Sequence, residues 1–476
     1  MKINSKFLFS VSNMVKTFEV LLISILLSRF YYDKNELGQL LQILFIASVI
    51  ITFLSGIPLS LNFFYGKYND LKQKQSLFIN FSLLLIITSL TFCFFILISK
   101  SFISSNFQND LFLKYIYLII LYCFFRSINT IFPNYHYLKD KLFKYLQLYV
   151  FTFVILVACL FYDNTIGVLN AKIILTQLLF IELIRFVFNV LIIRKKELRL
   201  NLKDFNNQQM IYILTITVGV VAGAFGLYLD KYLIAILLNP TEFLYYQNGA
   251  INLPFVNIIT SSLFIALIPT FAELYAKKKN SELVLKVRAT IIKCSLLLIP
   301  ILVYCFFEAI PLIKFLYGDE FEISGEVFKI YVLRYSLSVM AFSVFMGTIG
   351  LEKKANLIIF LSALIGLFLN IILIPIYGIR GASMATVIAS LSTIVISLYF
   401  IKERLAAKII DYFPIGSYIK IILISFVIYM PFYLVNRHID KDWVVVLSSL
   451  IYYICVISVL NSIFIIFKFR DIVIRK

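Results

Sequence analysis

Several long apolar stretches of this chain carry charged residues deep inside them. Lys16 and Glu19 share the first stretch three residues apart, Arg126 and Asn129 the fourth, and Glu182 and Arg185 the sixth. Asp230 and Lys231 fall toward the end of the seventh, Glu308 near the end of the ninth, and Lys329 and Arg334 in the tenth. In a bilayer each such charge costs about 2.5–3.5 kcal/mol on insertion scales, so it normally faces protein or water. The i,i+3 spacing lets Lys16–Glu19 and Glu182–Arg185 pair within their own helices and so ease insertion. Lys329 lies near enough to an end to snorkel. Arg126 and Arg334 have no carboxylate at i±3 or i±4. They require an anion from another helix or from a ligand, and the guanidinium fork matches phosphate with two parallel hydrogen bonds. Arg126, Arg334, Arg185 and Lys16 are therefore the candidate cationic binding residues. Glu19 and Asp230 are the candidate sites for coupling to a proton or cation.

Other chemistry is not signalled. The six cysteines lie in apolar runs without a CxxC pair, so neither a zinc site nor a disulfide framework is expected. His136 and His438 read as residues of polar connectors, which leaves no His-based triad and no metal site. There is no GxxxxGK[ST], HExxH or GxSxG motif, so no nucleotide-driven or hydrolytic activity and no cofactor is expected. Energy for transport would come from an ion gradient, the membrane potential or a downhill substrate. Helix breakers supply a second clue: Gly56-Ile57-Pro58, Pro133, Pro254, Pro269 and Pro300 predict bends. Gly219, Gly223 and Gly226 predict close packing or a bend in the seventh stretch.

The elements that must position these residues are membrane helices. Of 476 residues 61% are apolar and only 14% charged, against roughly 25% charged in soluble domains, and mean hydropathy is +0.95. An ordinary soluble enzyme is excluded. So is a nucleic-acid binder, despite the net charge of +19, because the basic residues belong at a membrane surface. Apolar runs long enough to span fall at 7–30, 37–61, 77–98, 111–132, 142–162, 173–193 and 210–238, then at 243–271, 289–310, 327–349, 355–374, 381–401, 415–435 and 443–467. These predict an all-α polytopic protein of fourteen helices. The runs are continuous and not alternating, which excludes a β-barrel. Lys16 and Glu19 interrupt the first run and no small-x-small site follows, so it reads as a retained helix and not a cleaved signal.

Alternate connectors differ sharply in charge. One set carries nearly all loop Lys and Arg, including 194–203, 277–288 and the two ends. The other holds only Lys34, Lys100, Lys172, Lys314, Arg380, Arg437 and Lys441. The positive-inside rule then predicts cytoplasmic termini. The longest basic connector, 194–209, predicts a joint between a six-helix lobe at 1–203 and a second at 204–402. Two further helices and a basic tail occupy 403–476.

The order of elements resembles the Wzx-type oligosaccharide flippases, the polysaccharide-transporter branch of the superfamily that includes the MATE multidrug exporters and the lipid II flippases. The resemblance spans nearly the whole chain. It rests on Asp33-Lys34-Asn35-Glu36-Leu37-Gly38, on Leu229-Asp230-Lys231-Tyr232 and on Leu238-Asn239-Pro240-Thr241-Glu242-Phe243. Pro269-Thr270-Phe271-Ala272-Glu273, the loop Phe315-Leu316-Tyr317-Gly318-Asp319-Glu320-Phe321 and, most specifically, the 370–386 stretch with Pro375-Ile376-Tyr377-Gly378-Ile379-Arg380-Gly381 add to it. Leu244-Tyr245-Tyr246 stands where such proteins usually have Gly-x-Tyr. The resemblance implies two six-helix lobes and two extra helices. It also implies a flippase, not an enzyme, that moves an undecaprenyl-diphosphate-linked glycan, an O-antigen (lipopolysaccharide) or capsule unit, from the cytoplasmic to the periplasmic leaflet of a bacterial inner membrane by alternating access. Proton or sodium coupling and contact with glycan-assembly membrane proteins would accompany that role. Two alternatives stay open on the residues alone: a cation-coupled multidrug exporter, which would want unpaired carboxylates in its cavity, and a membrane glycan polymerase, which would want a sizeable outer loop bearing acidic or His groups.

Overall fold

The computed structural model describes residues 5–68, 70–193, 205–340, 342–438, 444–445 and 447–460. These form helices, with no strand among the described residues, as expected where backbone polar groups cannot turn to water for partners. The chain divides into two compact units, Met1–Leu244 and Tyr245–Lys476. The predicted lobe boundary at 203/204 lies in a connector outside the described residues.

In the first unit the helices are α1 (Ser5–Phe30), α2 (Lys34–Leu54), α3 (Gly56–Lys67), α4 (Leu71–Ile98), α5 (Lys100–Phe107), α6 (Asp110–Lys114), α7 (Ile116–Ile128), α8 (Phe132–Leu138), α9 (Leu142–Ile166), α10 (Ala171–Ile192) and α11 (Asn207–Leu237). Helix α12 (Pro240–Gly249) crosses the boundary. Local chemistry sets several starts. Asp33 caps α2 by accepting from the Asn35 and Glu36 amides. Asn170 does so for α10 and Asn206 for α11, satisfying donors that the first helical turn leaves free. Asn129–Ile131 forms a 3-10 turn between α7 and α8, just before Pro133. Helix α11 packs on α2 and α3. Its predicted close approach does not involve Gly219 or Gly223, at which an added Cβ would meet nothing within 4 Å. The approach is made at Gly56, where a Cβ would overlap Thr217 of α11. His136 is likewise not a connector residue: it is fully buried on α8, with Nε2 2.8 Å from Asn189 Oδ1.

The second unit comprises α13 (Pro254–Ala276), α14 (Asn280–Phe307), α15 (Ala309–Tyr317), α16 (Glu322–Ser338), α17 (Phe342–Thr348), α18 (Glu352–Leu405), α19 (Ile409–Tyr412) and α20 (Ile415–His438). A shorter apolar helix covers Leu447–Leu460. Helix α18 is two helices joined at Gly378, whose φ of 58° and ψ of −140° are open to glycine and costly for other residues. Pro254 opens α13 after a non-helical 251–253, so the single predicted run at 243–271 is broken in two.

Twelve helices among the described residues are long and apolar enough to cross a membrane. One of them, α18, holds two of the predicted runs, and the last predicted run extends into residues outside those described. The protein is a multi-pass membrane protein, and fourteen spans remain a sequence-based expectation.

Candidate functional site

The first unit gathers five of its intramembrane charges, Lys16, Glu19, Arg126, Glu182 and Arg185, into one cluster. Helix α1 contributes Lys16 and Glu19, one turn apart. Helix α7 contributes Arg126, with Asn129 just beyond it, and α10 contributes Glu182, Arg185 and Asn189 at i, i+3 and i+7. Helix α9 contributes Tyr145, Tyr149 and Thr152, again on one face. Packing of α1 on α9, α9 on α10 and α10 on α7 brings these faces together.

Arg185 is the hub, 4% exposed. Its Nη2 lies 2.7 Å from Glu19 Oε1 and its Nη1 3.3 Å from Glu182 Oε1. Its Nε donates to Thr152 Oγ1 at 2.9 Å, and the guanidinium sits 3.9 Å from the centroid of the Tyr149 ring. Glu19 also accepts from the Tyr149 hydroxyl. Its ion-pair partner is thus Arg185 of another helix, and not Lys16 of its own, as the i,i+3 spacing had suggested. Glu182–Arg185 does pair within its helix, yet each residue also pairs outside it. The anion that Arg126 required is Glu182, 3.6 Å away across the helix interface. Glu182 further accepts from Asn129 Nδ2 at 2.6 Å. Lys16 rests against the faces of Tyr145 and Tyr149, 5.4 and 5.9 Å from the ring centroids.

A cavity of about 220 Å³ opens beside this cluster. Its polar wall is Lys16, Arg126, Asn129, Glu182 and Arg185, with Tyr145 and Tyr149 beside them. Three cations against two carboxylates leave the cluster with one net positive charge. Such a surplus held in low dielectric attracts a phosphate or carboxylate more strongly than it would in water.

The remaining predicted residues lie elsewhere. Asp230 is buried on α11, accepts from the Lys231 amide at 2.7 Å and is not among the residues lining this cavity. Arg334 belongs to α16 in the second unit, where it donates to the Tyr331 hydroxyl. Lys329 is exposed, with its ammonium 5.2 Å from the Phe306 ring centroid. Sequence reading missed Tyr145, Tyr149 and Thr152. Their i, i+4, i+7 spacing was the available signal, but aromatic residues are too common in this chain for that spacing to stand out.

A family model described as "Polysaccharide biosynthesis protein" matches residues 66–325, more than half of the chain. The chain belongs to this family. No curated protein matches it. Among solved structures it is similar to the lipid II flippase MurJ in an inward closed conformation, at 17% identity and a TM-score of 0.74, covering 98% of this chain and 100% of that one. It is also similar to an inward-facing MATE-family multidrug resistance transporter of the MOP superfamily, at 13% identity and a TM-score of 0.65, covering 85% of this chain and 99% of that one. A MOP superfamily transporter from Pyrococcus furiosus matches at 13% identity and a TM-score of 0.58, covering 84% and 95%. At these identities the likeness establishes the fold alone: this family member has the helical architecture of those structures.

Proposed function

We propose that this protein is a flippase for a lipid-linked glycan. The substrate is an undecaprenyl-diphosphate-linked oligosaccharide, such as an O-antigen or capsule unit. It moves from the cytoplasmic to the periplasmic leaflet of the inner membrane by alternating access, in a chain with both termini cytoplasmic. The observation that carries this reading is the cationic cavity lined by α1, α7, α9 and α10 of a polysaccharide-biosynthesis family member. A diphosphate cannot cross hydrocarbon unaided, and an intramembrane cluster with surplus positive charge lowers that barrier. The volume of about 220 Å³ falls below the ~300–1,000 Å³ of pockets that enclose drug-sized ligands. It suits a phosphoryl group better than a whole oligosaccharide. A multidrug exporter of cationic compounds is supported less well, because Lys16, Arg126 and Arg185 repel such cargo.

In this reading Arg126 contacts the diphosphate or an acidic sugar, and Arg334 of the second unit is a separate cation proposed to contact such a group. Arg126→Gln with Arg334→Gln is expected to lower glycan display about tenfold or more, since each charge-assisted bond is worth ~1.5–3 kcal/mol. The amount of folded protein in the membrane stays at the wild-type level. Normal display with both replaced would refute the reading. Loss of folded protein would assign Arg126 a structural role as the partner of Glu182.

Coupling to a proton or sodium gradient is the second part of the proposal, with Glu19 and Asp230 as its candidate carboxylates. Glu19 lies deeper and belongs to the charged cluster, although Arg185 and Tyr149 hold it. In reconstituted vesicles, flipping of a lipid-linked glycan is expected to follow an imposed gradient, and Glu19→Gln to abolish that response while substrate still binds. Rates indifferent to gradients of either sign would leave downstream consumption as the driving force.

A further inference from the structure

The cavity holds more negative charge than an anion site needs, and Glu182 is the residue that brings that charge to its wall. Glu182 is 5% exposed and has two kinds of contact. Asn129 Nδ2 donates to its Oε2 at 2.6 Å and also to its backbone carbonyl at 2.9 Å, while Arg185 Nη1 lies 3.3 Å from its Oε1. These contacts hold the carboxylate whether or not Arg126 is present. The Arg126 contact, 3.6 Å from the same Oε1, is looser. It is too long for a good hydrogen bond, so mostly Coulomb attraction remains.

The three cations differ in the same way. Arg185 has all three of its nitrogens engaged, by Thr152, Glu182 and Glu19, and one face against Tyr149. Its charge is already shared by two buried carboxylates, so it attracts a further anion less than Arg126 or Lys16 does. The Arg126 side chain is 25% exposed, with one loose carboxylate contact and the Tyr122 ring 5.4 Å away. Lys16 touches ring faces and, among the described residues, has no carboxylate within ion-pair distance. Arg126 and Lys16 both line the cavity.

We propose that Glu182 is the resident counter-anion of this cavity: it neutralises Arg126 between ligands and yields it to a phosphate-bearing ligand that Arg126 and Lys16 bind together. Asn129 and Arg185 keep Glu182 in place while Arg126 turns away. Arg185 acts as a positioning residue that holds Glu182. Each binding event then trades one ion pair for another, and affinity falls below what two unopposed cations would produce. A transport site benefits from this, because a group bound too tightly is not released on the far side. The inference rests on the proposed reading of the cavity as an anion site.

Inorganic pyrophosphate, titrated calorimetrically into the detergent-purified full chain, tests it. Glu182→Gln removes the competing charge and is expected to tighten binding about tenfold, the effect of ~1.4 kcal/mol of relieved competition. Arg126→Gln weakens binding to the wild type and cancels the gain of Glu182→Gln when the two are combined, because the gain acts through Arg126. Lys16→Gln weakens binding in either background. Should Glu182→Gln fold poorly, Glu182→Asp, which draws the carboxylate back by one methylene, serves in its place and is expected to tighten binding about threefold, on the distance dependence of the Coulomb term. Unchanged or weaker binding by the folded Glu182 variant, with the wild type still binding, overturns the counter-anion role alone. Absence of pyrophosphate binding by the wild type and every variant overturns the anion-site reading and this inference together.

Discussion

Arg185→Leu is expected to deplete folded protein from the membrane. The guanidinium is the shared partner of Glu19 and Glu182, at 2.7 and 3.3 Å, and both carboxylates are at most 5% exposed. Removing it leaves two buried negative charges facing each other with only Arg126 and Lys16 to offset them. Breaking a buried pair by deleting one member costs about 3–5 kcal/mol, most of it the uncompensated charge left behind. That is a large part of the ~5–15 kcal/mol by which folded proteins are held. Fluorescence-detected size exclusion of the solubilised protein should show the loss of the monodisperse peak. Arg185→Lys retains the charge without the fork and is expected to fall between, since one ammonium cannot replace three nitrogens aimed at Thr152, Glu182 and Glu19. Adding Glu19→Gln and Glu182→Gln to Arg185→Leu is expected to recover part of the yield. A normal peak for Arg185→Leu alone would show that this cluster does not hold the four helices.

The second large effect is expected at Gly38. A Cβ at this position of α2 would overlap the carbonyl of Pro240 at the start of α12. The obstacle is backbone, so no rotamer change relieves it. Overpacking of this kind costs about 1–3 kcal/mol, and Gly38→Ala should lower the melting temperature of the purified protein by several degrees. Gly219→Ala is the control. It lies mid-helix with nothing within 4 Å of an added Cβ, and alanine is favoured over glycine in a helix interior by about 0.8–1 kcal/mol, so it should melt no lower than the wild type. Equal melting of Gly38→Ala and Gly219→Ala would contradict the close approach. The result would also bear on the family signatures, because Gly38 closes the one at 33–38 and Pro240 sits inside the one at 238–243. These signatures are 202 residues apart in the chain and in contact in the first unit.

The all-helical membrane architecture was legible in the sequence alone, because hydropathy is a property of each segment by itself: a run such as Leu142–Ile166 has to satisfy its backbone internally wherever its neighbours lie. Capped starts at Asp33, Asn170 and Asn206 are local for the same reason. The break before Pro254 escaped the hydropathy reading because Asn252 is the single polar residue of 250–253, whose backbone leaves the helix, although Pro254 itself predicted a bend. The charges that form the site were also visible, since a Lys, Arg or Glu within an apolar run stands out whatever it touches. Their partners were not. Spacing within one helix reports only neighbours at i+3 and i+4, so it offered Lys16 to Glu19 and nothing to Arg126. Tertiary packing of α1, α7, α9 and α10 chose Arg185 for the first and Glu182 for the second. It also recruited Tyr149, a residue that reads as one apolar ring among many. Charge was fixed by residue type, one position at a time. Pairing was decided by which helix faces meet, because a Coulomb contact depends on distance in space and not on separation along the chain.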